Sequence, residues 1–238
     1  MWTRARIILG LRCAPTREQT SQALELLEQQ PWSPTHWGWM SDDRRPYSRE
    51  AMLSWMYDEQ ANLVGFEPTA RRWMQPAHKL VLTGLHGKRA QCDVMLLPPA
   101  SPSEIEALFA LAESLAAVFS VELGGVSING WPGHGEVYTG PSKIDLPGIR
   151  ALGLDDLFPR TFFGPRLWDQ VAKVLDRGGS RALANGVTLV DFASQPWNAA
   201  PPAVEGSLLD AKTWLADAGL SPSENLDPGV HWVPLEEG

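Results

Sequence analysis

Cysteine, tyrosine and histidine are scarce in this 238-residue chain, with two, three and five residues respectively. Cys13 and Cys92 lie in separate segments, so no CxxC redox or zinc motif and no disulfide framework exists. Two buried thiols in a reducing cytoplasm are the expectation, with one long-range disulfide the alternative. The histidines (His36, His78, His86, His134 and His231) include no pair at i, i+4 and no HExxH. Long apolar runs are also missing. A membrane span needs about 20 such residues, and a secretory core about 7–15. The run near the start extends only from Ile7 to Leu11, and Arg12 directly before Cys13 argues against lipoprotein processing. The expectation is a cytoplasmic protein without a membrane segment.

Catalytic signatures are equally thin. Gly84-Leu85-His86-Gly87-Lys88-Arg89 lacks both the spacing and the Ser/Thr of a phosphate loop and reads as a hairpin turn. The glycines of Gly130-Trp131-Pro132-Gly133-His134-Gly135 stand in the wrong order for a dinucleotide loop. Asn129 occupies the last glycine position of a would-be GxSxG around Ser127. Asp210-Ala211-Lys212 has an acidic-x-Lys spacing used by nucleases, but on a predicted helix rather than a strand. No cofactor and no metal site is expected, and the reading is not of an enzyme.

What the chain has in quantity is tryptophan (11), proline (20) and negative charge (net −8). The charge is graded. Residues 1–100 carry 12 Lys/Arg against 10 Asp/Glu, a net of +2; residues 101–200 carry 7 against 11, a net of −4. Residues 201–238 carry one base, Lys212, against seven acids, a net of −6. Such a surface disfavours general binding to nucleic acid or to an anionic membrane and suits a basic partner. The plainer alternative is that these acids keep a surface helix and tail solvated.

The element pattern is α+β. Arg4–Arg12 predicts a strand. Thr16 caps a helix over 17–30, with Gln19 completing a capping box. Trp37 and Trp39 alternate in a Pro-bounded segment, 31–47, that suggests a short strand, and a helix follows Ser48. Lys79–His86 and Arg89–Leu97 form a hairpin, and Ser101 with Glu104 opens a helix over Ile105, Leu108, Ala112, Leu115 and Phe119. Val121–Ile128 is a strand. Residues 124–141, with six glycines and two prolines, read as a long loop or a linker. Pro165 opens a helix with Gly178 at its end; Asn185-Gly186 signals a hairpin leading to Val187–Phe192; a last helix follows Pro201–Pro202 and stops at Gly219. Hairpin, proline and helix thus occur twice, which predicts a largely antiparallel sheet with helices packed on it and two ββα-containing halves. The chain reads as one domain over 1–238, with sub-lobes 1–128 and 142–238 joined by the Gly-rich loop 129–141 as its internal division.

Trp37, Trp39 and Tyr47, beside Asp42, Asp43, Arg44 and Arg45, are the strongest surface candidates. Large apolar side chains most often anchor a core or a loop. The alternatives are an interface hot spot, where Trp and Arg are enriched, or a sugar-binding platform. Partner-binding residues are placed at Trp37, Trp39, Asp42 and Asp43, with Asp210 and Asp217 as a second patch. A competing reading is a metal-dependent hydrolase built on His36 and His134 with nearby acids.

The string LPGIRALGLDDLFPRTFFGPRLWDQV, then LANGVTLVDFASQPWNAAPP, with the turns Phe163-Gly164-Pro165 and Gln195-Pro196-Trp197, joins upstream HWG (36–38) and RRPY (44–47). Together these resemble bacterial immunity proteins of polymorphic-toxin and type VI secretion systems, with the immunity protein 52 family the nearest in pattern. The resemblance implies a non-enzymatic cytoplasmic antidote. It would bind and block a cognate toxin effector, in this family a nuclease with a restriction-endonuclease-like domain. Steric occlusion at or beside the toxin's substrate groove is the expected mode. Homodimerisation is left open by the sequence.

Overall fold

The computed structural model describes residues 2–38, 45–58, 63–67, 79–83, 91–96, 100–130, 137–138, 144, 154 and 157–220. Among these residues the strands are β1 (Trp2–Leu11), β2 (His36–Gly38), β3 (Arg45–Pro46), β4 (Leu63–Glu67), β5 (Lys79–Thr83), β6 (Gln91–Leu96), β7 (Val121–Gly130), β8 (Val137–Tyr138), β9 (Arg160–Phe163), β10 (Ser180–Ala182) and β11 (Thr188–Asp191). The helices are α1 (Arg17–Glu28), α2 (Arg49–Tyr57), α3 (Pro102–Val118), α4 (Pro165–Leu175) and α5 (Pro201–Asp217).

All eleven strands join one sheet in the order β10-β11-β9-β7-β1-β6-β5-β4-β2-β3, with β8 paired to the end of β7. Every pairing is antiparallel. The α+β class and its antiparallel sheet therefore agree with the alternation in the sequence. Strands from both sides of 129–141 share this sheet, because β9 pairs directly with β7. The two hairpins, β5–β6 and β10–β11, each lead into a proline-started helix, α3 and α5. The turn of the first hairpin lies outside the described residues.

Period-two alternation sorts the side chains to two faces. On one, Ala5, Ile7 and Leu9 of β1 align with Leu96, Val94 and Cys92 of β6 and with Ile128, Val126 and Gly124 of β7. α3 covers this face with Ile105, Leu108, Ala112 and Leu115, and α1 adds Leu24 and Leu27 behind it. On the other face, Arg6 lies between Ser127 and Asp93, and its guanidinium Nε donates to Asp93 at 2.8 Å. Farther along, Phe163 carries Trp168 of α4 at 5.6 Å between ring centroids, so α4 and the α5 helix packed on it cover this second face.

The helix ends follow local chemistry. Thr16 and Gln19, and Ser101 and Glu104, form the two capping boxes expected from sequence. Ser48 caps α2 through the Ala51 amide. α5 stops at Gly219, φ +71°, where the Gly219 and Leu220 amides donate to the Ala216 and Leu215 carbonyls in a Schellman arrangement. In the β10–β11 turn, the Asn185 amide donates to the Ala116 and Phe119 carbonyls at 2.8 and 3.0 Å, which closes the C-terminal end of α3.

Three expectations are corrected. Residues 124–130 are not loop but the second half of β7, at the centre of the sheet. The glycines there admit close neighbours rather than a turn: a β-carbon on Gly125 would lie 2.3–2.4 Å from Phe158. Cys92 is buried but Cys13, just beyond the end of β1, is exposed, and both thiols are free. Gly178 lies beyond the α4 cap, which is Asp176; its amide donates to the Asp176 carboxylate in the turn to β10.

Candidate protein interface

The β2–β3 ribbon forms one end of the sheet, and HWG and RRPY meet there: His36 pairs with Pro46 and Trp37 with Arg45. Trp37 is only 4% exposed. Its indole N–H donates to the Pro46 carbonyl at 3.1 Å, and its ring meets Trp55 of α2 edge-on at 5.4 Å. Trp37 is thus an anchor in the core, which corrects its expected role as an exposed hot spot or sugar platform. The exposed member of the cluster is Arg45, whose guanidinium lies 5.1 and 5.7 Å from the Trp37 and Trp55 ring centroids. Trp39, Asp42 and Asp43 lie outside the described residues. His36 is partly buried, with Nδ1 2.9 Å from the Thr35 hydroxyl, and His134 is outside the described residues. Among the described residues no group of three or more His, Cys, Asp or Glu is placed to hold a metal ion.

Behind this ribbon, Tyr47 and Arg49 tie the start of α2 to the end of α1. The Tyr47 hydroxyl donates to Glu28 at 2.7 Å, and Arg49 Nε donates to the same carboxylate at 2.9 Å. The Arg49 hydrogen bond holds the Glu28 carboxyl below its ordinary value of 4.5, against the opposing effect of burial. Burial, and then the Glu28 carboxylate, push the Tyr47 phenol up. A carboxyl depressed by folding stabilises the fold above its unfolded pKa and loses that contribution as pH falls through the folded value. Stability should therefore drop below about pH 4.5. Glu28→Gln should cost roughly 1 kcal/mol at neutral pH and flatten this acid limb, as read by urea denaturation across pH.

The second predicted patch lies on α5. Asp210 and Asp217 are both exposed and, seven residues apart, share one side of the helix. Leu209, 66% exposed, lies about 80–100° round the helix from both, and is the one large exposed hydrophobic side chain among the described residues. The structure thus brings Asp210 and Asp217 together, with Leu209 and the exposed Glu205 added. The signal for Leu209 was in the sequence. The buried positions Pro201, Val204, Leu208, Ala211 and Leu215 recur at three and four residues, and Leu209 falls outside that stripe.

α5 is fixed to the sheet through the turn that precedes it. Arg160 of β9, 5% exposed, donates from Nε and Nη2 to the two Asp191 oxygens, each at 2.7 Å, and from Nη1 to the Phe109 carbonyl at 3.1 Å. The same guanidinium lies 5.3 Å from the Phe109 ring centroid and 5.4 Å from that of Trp197. Glu113 stands 3.9 Å from it and takes both Arg181 nitrogens, at 2.7 and 2.6 Å. These Arg181 bonds are the main reason the Glu113 carboxyl lies below its ordinary value. Through Trp197 the Gln195-Pro196-Trp197 turn packs on Phe109 and Arg160.

No family model and no curated protein matches the chain, so the immunity protein 52 family remains a resemblance in sequence pattern. Among solved structures the fold is similar to that of a Pseudomonas aeruginosa type VI secretion system (T6SS) protein, PA0821. The TM-score is 0.58 at 11% identity, over 95% of this chain and 78% of that one. Among the described residues no helix is long and apolar enough to cross a membrane.

Proposed function

We propose that the protein serves a type VI secretion system as an immunity protein, binding a cognate toxin effector in the cytoplasm and blocking it. The observation that carries this reading is the fold-level likeness to PA0821, named as a T6SS protein, over nearly the whole chain. The resemblance of its turn motifs to those of immunity proteins, and its acidic final segment, support it independently. In its finer form the toxin is a nuclease. A nuclease needs a positive groove to hold phosphate, and an acidic protein competes for such a surface. On this reading the protein acts stoichiometrically, without catalysis or cofactor. The test is co-production with the product of the adjacent reading frame in a sensitive bacterium. Growth should be restored only when this protein is present, and the two should co-purify as a complex whose association slows with salt. Growth arrest unaffected by its presence would remove the proposal.

A further inference from the structure

We infer that the exposed face of α5, centred on Leu209, is the surface on which a cationic protein partner docks. The inference rests on the immunity reading only for the partner's identity. Three observations on this helix carry it. First, Leu209 contributes nothing to the core, since the buried stripe of α5 is complete without it, yet a large apolar side chain is left 66% exposed. Second, its neighbours leave it accessible and cheap to dehydrate. Gly206, one turn before it, has no side chain, and a β-carbon there would meet nothing within 4 Å. One turn after it, the Thr213 hydroxyl donates to the Leu209 carbonyl at 2.9 Å. Its hydrogen is thus satisfied within the helix, so covering it leaves no donor unpaired.

Third, the charge is placed against the helix's own stability. Asp217 ends α5, where the macrodipole disfavours an anion, while the first turn has no acid and the last turn no base. The Asp217 carboxylate makes no ion pair or hydrogen bond with another described residue. Local rules broken without local compensation point to a use elsewhere. Asp210 and Asp217 flank the apolar contact on one side and Glu205 on the other, where Lys212, the single base of the helix, also stands, so the face is net negative. Phosphates and anionic lipid would be repelled, as would the same face of a second copy. A protein surface with a hydrophobic depression inside a basic rim fits it.

The test uses the full chain with two probes. A fluorescent amphipathic peptide of lysine and leucine reports on the face alone, and the product of the adjacent reading frame reports on the partner. Leu209→Ser should weaken binding of each probe by about tenfold or more. Asp210→Lys/Asp217→Lys should weaken both probes and slow association by about tenfold at low salt. The same double variant should raise Tm by about 1–3 °C, because it relieves the helix terminus. Glu106→Lys, exposed on α3, is the control and should bind as wild type. Peptide binding that is absent, or equal in wild type and Leu209→Ser, overturns the inference. So does self-association of the wild type that Leu209→Ser abolishes, which would assign the face to a second copy. Adjacent product bound equally by Leu209→Ser removes the docking face and leaves the immunity reading. Adjacent product ignored by the wild type, with the peptide behaving as expected, removes the immunity reading and leaves the docking face.

Discussion

Gly125→Val should leave little folded protein at 25 °C, and Gly125→Ala should cost about 1–3 kcal/mol or more in urea denaturation. A β-carbon at Gly125 would lie 2.3 Å from Phe158 Cγ and 2.4 Å from both its Cβ and Cδ2. Relief by moving the ring is blocked, since Phe158 is fully buried. Its backbone is also held by Thr161, whose hydroxyl accepts from the Phe158 amide and donates to its carbonyl, both at 2.9 Å. Relief by moving the strand is blocked too, because β7 lies between β1 and β9 in the middle of the sheet. Two controls keep the interpretation specific. Phe158→Leu should recover part of the loss in a Gly125→Ala background, because the two residues share one volume. Gly206→Ala, on the open side of α5, should instead stabilise by up to about 1 kcal/mol through helix propensity.

Arg160→Ala should destabilise by about 3–5 kcal/mol, the range for breaking a buried ion pair from one side. The loss is more than one salt bridge. Asp191 keeps its charge with its fork partner gone, the Phe109 carbonyl loses a donor, and the Trp197 and Phe109 rings lose the cation lying over them. Arg160→Lys should recover only part, because an ammonium cannot bridge both Asp191 oxygens while reaching Phe109. Arg160→Met combined with Asp191→Leu should be much less harmful than Arg160→Ala, since no uncompensated charge remains. Since Trp197 lies in the turn leading into α5, amide hydrogen exchange should show α5 opening more readily in Arg160→Ala than α1 does. Uniform opening across both helices would contradict the role assigned to Arg160.

Elements whose ends are made by local chemistry were legible in the sequence. Thr16 with Gln19, Ser101 with Glu104, Asn185-Gly186 and Gly219 each satisfy backbone groups through neighbours a few residues away, so spacing alone reveals them. What failed depended on distant partners. The glycine-rich start of 124–141 suggests a loop, but Gly124 and Gly125 are there because Leu9 of β1 and Phe158, two residues before β9, approach closely. Strands β4 and β9 carried no signal strong enough to predict. β9 is buried on both faces, so Arg160–Phe163 shows no alternation. The candidate site divides in the same way. Asp210 and Asp217 share a face by helical arithmetic, whereas the burial of Trp37 required knowing that α2 brings Trp55 against it. Leu209 falls outside the 201, 204, 208, 211, 215 stripe, a spacing the sequence itself shows, although it stands next to the buried Leu208.

On the proposed function, this protein binds and silences a toxin encoded beside it. The most direct measurement is titration of the purified adjacent gene product with the purified protein, following the toxin's own activity. Stoichiometric loss of activity, with inhibition weakened by Leu209→Ser and untouched by Glu106→Lys, is the predicted result. Full toxin activity in the presence of excess wild-type protein would contradict the account.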